Sequence, residues 1–312
     1  MNGVVVIDKP CGKTSHDVVK EVKNVLHLQK AGHTGTLDPL ATGVLPVCIN
    51  EATKLVQFLV ADTKDYRATM LLGLTTDTKD IQGNVVTRND PSVNERDIEE
   101  ALRGFVGKRE QIPPRYSAIK FHGRAFYSLA RKGIDVEPPR RMIEIFSVVI
   151  EKVELPYVVF TVSCSKGTYI RSLCSDAGEM LGCGACLAGL RRLRSGSFLV
   201  TSAVSLDNLE EKQMREILTA HIIPMTEVLS DIPNLIVDGE FAERLRMGYQ
   251  PQGDDLRRYH TPSLAAGDMV KFIDSSANLI AVAKMLYSSD HAGSVDGKRQ
   301  VVRILRIFSS GP

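Results

Sequence analysis

The sequence predicts a mixed α/β (α+β) protein, a larger unit around a mainly antiparallel sheet followed by a small β-rich unit. Three observations lead there. Apolar residues alternate with the two-residue period of strands in some stretches and recur at three- and four-residue spacing, as in helices, in others. Two long β-like runs, 142–155 and 157–165, meet at Pro156 in a pattern suited to a hairpin, whose strands are antiparallel. Near Pro233 the pattern turns to a short helix and three further strand-like runs, which sets domain boundaries at 1–232 and 233–312. With 312 residues and 43% hydrophobic content, the chain can bury the cores of two domains.

Residues 3–8 read as a short buried strand, and Thr14 or Ser15 can cap a helix whose apolar face is Val18, Val19, Val22, Val25 and Leu26. Residues 44–49 form the next strand. In 66–72, Tyr66, Ala68, Met70 and Leu72 alternate with Arg67, Thr69 and Leu71, which places Tyr66 at the start of a strand. Ile98, Ala101, Leu102, Phe105 and Val106 predict a helix over about 94–106, and Pro113-Pro114 prevents its continuation. After the hairpin, Ile170, Leu173, Ala177, Met180 and Leu181 make a helical stripe that Gly182 can stop. In the second unit a short helix carries Phe241 and Leu245, and strands are expected at 269–273, 279–286 and 301–308. Arg303 and Arg306 in the last of these could meet phosphate or form its wet face.

Composition excludes several classes. No stretch approaches the roughly 20 apolar residues that cross a bilayer, and no basic segment with a long apolar run opens the chain. A cytoplasmic protein with no membrane partner is expected. The six cysteines (11, 48, 164, 174, 183, 186) are scattered, so free thiols are expected, and the single C-x-x-C at Cys183 and Cys186 is weak support for a metal. Gly12-Lys13-Thr14 follows a strand, yet a phosphate-binding loop needs glycine where Ile7 stands, so no nucleotide triphosphate is expected. A hydrolase built on Ser15, His33 and Asp38 has no G-x-S-x-G elbow to support it.

Net charge is only +2, so an argument for a nucleic-acid partner must rest on local clustering. Over 108–144, nine Lys/Arg face four acids, and Arg191, Arg192 and Arg194 sit together. Such runs fit a solvated basic face as well as an RNA-binding one. The Pro, Gly and aromatic content of about 108–141, including Tyr116, Gly123, Tyr127 and Gly133, suggests an extended arm with little core of its own.

The richest stretch is Gly32-His33-Thr34-Gly35-Thr36-Leu37-Asp38-Pro39-Leu40-Ala41-Thr42-Gly43, which surrounds one carboxylate with glycines, hydroxyls and a proline. Its glycines permit tight turns and close approach to the backbone, and Pro39 restricts Asp38 to extended or turn geometry. The string resembles the signature of the TruB family of tRNA pseudouridine synthases. Three more stretches resemble the family in the same order: Val6 through Ser15, Lys166 through Leu173, and Leu190 through Gly196. The similarity covers about residues 3–230. Residues 234–308 loosely resemble the small RNA-binding PUA module, named after pseudouridine synthases and archaeosine transglycosylases.

The resemblance implies a pseudouridine-synthase fold and isomerisation of uridine 55 in the TΨC loop of tRNA, without cofactor or metal, by a protein expected to be a monomer. It implies that Asp38 is catalytic, that Arg171 pairs with it, and that Tyr66 stacks on the uracil and accepts or relays a proton. His33 then props rearranged loop nucleotides, Tyr169 and Leu190 line the uracil pocket, and the 108–141 insertion folds over the RNA. The chemistry is consistent with that set. The C1′–N1 bond must break and C5 must join C1′, so a carboxylate that attacks carbon or takes a proton has to be charged, desolvated and oriented. A guanidinium can hold it bidentately and keep it ionised. The competing reading is a non-catalytic RNA-binding protein, which needs the basic arm and the C-terminal module but no ionised Asp38.

Overall fold

The computed structural model describes residues 1–59, 63–117, 120–121, 124–126, 136, 138–292 and 296–309. Strand β1 (Gly3–Lys9) is buried nearly throughout, as its unbroken apolar run requires of a strand covered on both faces. Helix α1 (Ser15–Val25) begins at Thr14, whose hydroxyl accepts from the Asp17 amide at 3.1 Å while the Asp17 carboxylate accepts from the Thr14 amide at 2.9 Å. Its buried face carries Val18, Val19, Val22 and Val25, each contributing about 1.5–3 kcal/mol of hydrophobic burial. Next come β2 (Ala31–His33), β3 (Thr42–Ile49) and β4 (Thr63–Leu72), the last alternating as predicted, with Tyr66, Ala68, Met70 and Leu72 inward.

A two-stranded ribbon of β5 (Leu74–Thr76) and β6 (Val85–Arg88) leads to α2 (Glu95–Arg103), capped by Asn94. Phe105 is buried beyond the end of that helix, with the Arg109 guanidinium 4.0 Å from its ring centre. Strand β7 (Gly107–Gln111) then pairs with the start of β10 (Arg141–Glu154). Lys108 and Arg109 therefore belong to the sheet, and the expected arm does not begin at 108. Two-residue strands β8 (Lys120–Phe121) and β9 (Arg124–Ala125) pair within the rest of that stretch. Gly123, Tyr127, Arg131, Lys132 and Gly133, on which the reading of an arm also rested, lie outside the described residues.

Strand β11 (Tyr157–Ser165) closes the hairpin with β10 around Pro156, α3 (Ile170–Met180) follows, and Gly182 at φ +74° ends it. Strand β12 (Ala185–Ser195) escaped the sequence reading because Gly189 and three arginines interrupt its apolar alternation. It proves central. The nine-stranded sheet runs β1-β3-β12-β4-β11-β10-β7, with β2 attached to β3 and β13 (Phe198–Leu199) to β12. Every pairing in it is antiparallel except β12 with β3, where Arg191 meets Thr42 and Arg192 meets Gly43. Gly43 has φ +98°, and a Cβ there would lie 2.2 Å from the Arg192 carbonyl oxygen, so this junction closes only on glycine.

Residues 234–307 hold a separate four-stranded sheet, β14 (Asn234–Ile236), β15 (Met269–Ile273), β16 (Leu279–Met285) and β17 (Val302–Ile307), with α4 (Gly239–Arg246) packed on it. Its β14–β15 pair is parallel and the other pairs are antiparallel. Leu235, Phe241, Leu245 and Phe272 form its own core, while Ile273, Leu279, Val282 and Phe308 pack with Val4, Val6 and Val44 of the large sheet.

Candidate active site

Asp38 sits in the loop between β2 and β3, and that loop is held from below. The Ser15 hydroxyl accepts from the Leu37 amide at 2.8 Å and donates to the Leu37 carbonyl at 3.0 Å. The Gly12 amide donates to the Pro39 carbonyl at 2.8 Å. Lys9, fully buried, donates from Nζ to the carbonyls of Pro10 at 2.8 Å, Lys13 at 2.5 Å and Pro39 at 3.4 Å. Burial lowers its pKa to about 8. The stretch Val6 through Ser15 thus acts as a cradle for the Asp38 turn, which is closed by the Ala41 amide donating to the Asp38 carbonyl at 3.0 Å. Of the glycines Gly32, Gly35 and Gly43, only the last is required by backbone geometry; Gly32 has open space and Gly35 only ordinary contacts.

Asp38, Tyr66, Tyr169, Arg171 and Leu190 line one cavity of about 740 Å³. His33 does not line it, although its neighbour Thr34 does. Arg171, at the start of α3, places Nε 2.9 Å from Asp38 Oδ2. The expected bidentate clamp does not form. Arg171 Nη1 instead donates to the Thr78 carbonyl at 3.1 Å and lies 3.5 Å from Asp80 Oδ2, and Nη2 donates to the Tyr116 carbonyl at 2.9 Å. The Nε–H is off the line of a straight hydrogen bond to Asp38, so the contact is an ion pair. With 5% of its side chain exposed against 38% for Asp38, Arg171 is the fixed partner and the carboxylate the open one.

Burial raises the Asp38 pKa above the ordinary carboxylate value; the Arg171 charge opposes the shift and the nearby Asp80 charge adds to it. Tyr66 on β4 is buried, and its phenol is pushed up to about 12 by desolvation, with Arg192 pulling the other way. Burial, then the charges of Arg192 and His16, lower the pKa of His33, which favours a neutral flat ring. Tyr169, just before α3, is locked through its backbone: Gln111 Nε2 donates to its carbonyl at 3.0 Å and its amide donates to Gln111 Oε1 at 2.8 Å. Burial raises its pKa.

Asp80, Gln111 and Arg192 escaped the sequence reading as site residues. Asp77-Thr78-Lys79-Asp80 reads as a surface turn, and Asp80 does make a local one, accepting from Thr78 Oγ1 at 2.8 Å and the Gln82 amide at 3.1 Å. Its partner Arg171 is far away in sequence, so no local pattern announces the pair. Among the described residues no cluster of three or more His, Cys, Asp or Glu side chains is arranged to hold a metal ion. All six cysteines are unpaired.

Residues 23–170 match the model of the TruB family pseudouridylate synthase N-terminal domain, and 171–230 match that of the tRNA pseudouridylate synthase B C-terminal domain. A tRNA pseudouridine synthase B from Syntrophus aciditrophicus is 55% identical over 308 residues, 99% of either chain. The chain belongs to the TruB family. Another TruB relative, from Geobacter sulfurreducens, is 43% identical over 310 residues, covering 99% of this chain and all of its own. Among solved structures, a chain of an H/ACA RNP bound to a substrate RNA containing 2′-deoxyuridine superposes with TM-score 0.71 and 28% identity, over 98% of this chain and 85% of that one. A chain of a Cbf5-Nop10-Gar1 complex does so with TM-score 0.71 and 29% identity, over the same shares.

Proposed function

We propose that this TruB-family enzyme isomerises uridine 55 in the TΨC loop of tRNA to pseudouridine, with Asp38 as the reacting carboxylate. Pseudouridylation of tRNA is the family's activity. The observation that carries the site assignment is the Asp38–Arg171 ion pair at 2.9 Å on the wall of a cavity shared with Tyr66, Tyr169 and Leu190. Heterolysis of C1′–N1 leaves the electron pair on the base, and C5 must then form the new bond to C1′ and release its proton. An ionised carboxylate can attack carbon or take a proton, and Arg171 holds Asp38 in that form with one nitrogen, leaving the carboxylate accessible. Tyr66 supplies a ring face and a hydroxyl, Tyr169 and Leu190 the pocket walls, and neutral His33 a flat surface for loop nucleotides displaced by base flipping, which costs a few kcal/mol.

The reaction involves no net oxidation or hydrolysis, which suits a site without cofactor or metal. Two groups of the Gly12-Lys13-Thr14 run are engaged, the Gly12 amide with Pro39 and Lys13 Nζ with Glu21 at 2.7 Å, which argues against a triphosphate there. The reading is completed by a monomer at work in the cytoplasm, where substrate tRNA is found. Among the described residues no helix is long and apolar enough to cross a membrane. Residues 1–232 would form the catalytic domain, with the basic stretch inside 108–141 closing on RNA, and 233–312 a PUA-like RNA-binding domain. The test is to incubate the protein with an unmodified tRNA transcript, with and without chelator, and map pseudouridine. Product at position 55 alone in both samples is expected. Product at another uridine overturns the site preference, and none at all overturns the enzymatic reading.

A further inference from the structure

Arg192 is the largest fully buried side chain among the described residues, at 1% exposure, and among them no carboxylate lies within ion-pair distance of it. Its Nε donates to the Val44 carbonyl at 2.7 Å and its Nη2 to the Gly35 carbonyl at 3.1 Å, and its charge acts on the phenol of Tyr66, its cross-strand neighbour. Sheet register explains the meeting, because Arg192 pairs with Gly43 on one side and with Tyr66 on the other. A buried cation held by carbonyls and a phenol, with Lys9 and His33 near enough to feel its charge, is expensive to keep, and neutral amide donors could serve the two carbonyls at less desolvation cost. Arg192 also lines the cavity that Asp38 and Tyr66 share.

Hydrogen-bond chemistry restricts what the phenol can do. A guanidinium has donors only, so in any hydrogen bond between these neighbours the Tyr66 oxygen accepts and its own hydrogen is left for another acceptor. We propose that Arg192 is a positioning residue: by donating to the Tyr66 hydroxyl it directs the phenolic hydrogen into the cavity, toward the negative charge on the uracil detached from C1′. The inference rests on the proposed isomerisation. Its logic is that of a preorganised donor, aimed in advance at charge that develops during the reaction. The electron pair of the broken C1′–N1 bond stays on the base, and the polarised O–H accommodates it without a change in the protonation of Arg192.

The experiment measures single-turnover rates on an unmodified tRNA transcript for wild type, Arg192→Lys, Arg192→Gln, Tyr66→Phe and the two double variants, with tRNA affinity and melting temperature for each. Arg192→Gln is expected to slow the chemical step about 10²-fold while leaving tRNA affinity nearly unchanged, and Arg192→Lys to recover part of the loss. In the Tyr66→Phe background the same substitutions should change the rate less than about threefold, because their target hydroxyl is gone. Equal losses in both backgrounds, a loss confined to affinity, or failure of both Arg192 variants to fold overturns the proposal in favour of a structural cation. A wild type that forms no pseudouridine is a separate failure, that of the isomerase reading itself.

Discussion

Around the cavity of the nine-stranded sheet, Lys9, Lys64, Asp80, Arg171 and Arg192 are all buried, whereas in described residues 233–309 the buried charged side chains are Asp255 and Lys271. The two regions share strands and apolar cores but use buried charge differently. Asp255 completes a helix cap, accepting from the Gln252 amide at 2.9 Å and from Tyr249 Oη at 2.6 Å, and Lys271 donates at 2.7 Å to the carbonyls of Thr226 and Leu229. Asp255 is accounted for by local structure, and Lys271 by two backbone carbonyls at the end of the first unit. Around the cavity, Arg171 spends two nitrogens on carbonyls and still faces two carboxylates, one of them open to solvent. Buried charge beyond what the backbone needs is where a fold holds groups for chemistry.

Changes to the cavity charges should therefore damage activity more than stability, or damage both, while changes to the buried charges of the second unit should touch stability alone. The largest expected effect is that of Asp38→Asn, which should lower the single-turnover rate at least about 10³-fold. Because burial raises the Asp38 pKa, the neutral amide should leave the melting temperature equal or higher. A variant that isomerises uridine like wild type would show that the protein binds RNA without using this carboxylate.

Arg171→Met should come next, destabilising by about 3–5 kcal/mol in denaturant titration, since Asp80 and the Thr78 and Tyr116 carbonyls lose a buried partner. Activity should fall with it. A smaller effect concerns pH. Asp38 has a folded pKa above its ordinary 3.8, so on acidification the folded protein takes up this proton first. Activity should fall as pH passes down through that raised value, while this group's contribution to stability rises over the same window and levels off near the ordinary value. A rate profile flat down to the ordinary carboxylate range would contradict the desolvated environment.

Gln111→Ala removes the clamp on the Tyr169 backbone and should cost about 1–2 kcal/mol in stability with a reduced rate. Lys271→Met should cost a similar amount, about 1–2 kcal/mol, and leave the rate on saturating tRNA unchanged. A marked rate loss with Lys271→Met would erase the contrast between the two regions.

Where local chemistry sufficed, the sequence was readable. The α1 stripe, the alternation of 66–72, the Pro156 hairpin and the Gly182 stop all fall as the periodicity predicts, because each depends on neighbours a few residues apart. Strand β12 was not readable. Its arginines look like a wet basic face, and only Val44, Gly35 and Tyr66, brought in by β3, the preceding loop and β4, make burial of Arg192 tolerable. The same holds for 108–111, where a basic run that resembles a free arm is an edge strand against β10.

From residues alone came the two-part α/β plan, the Asp38 loop and, through motif resemblance, the partnership of Asp38 with Arg171, since these depend on short-range patterning and on chemically specific strings. Only the tertiary structure decided that Arg171 grips Asp38 with a single nitrogen, that Asp80 shares it, and that a parallel junction sets Gly43, Arg192 and Tyr66 side by side. Those relations join residues distant in sequence. The energy of burying a charge is determined by whichever atoms the closed sheet brings around it, and no local pattern carries that information.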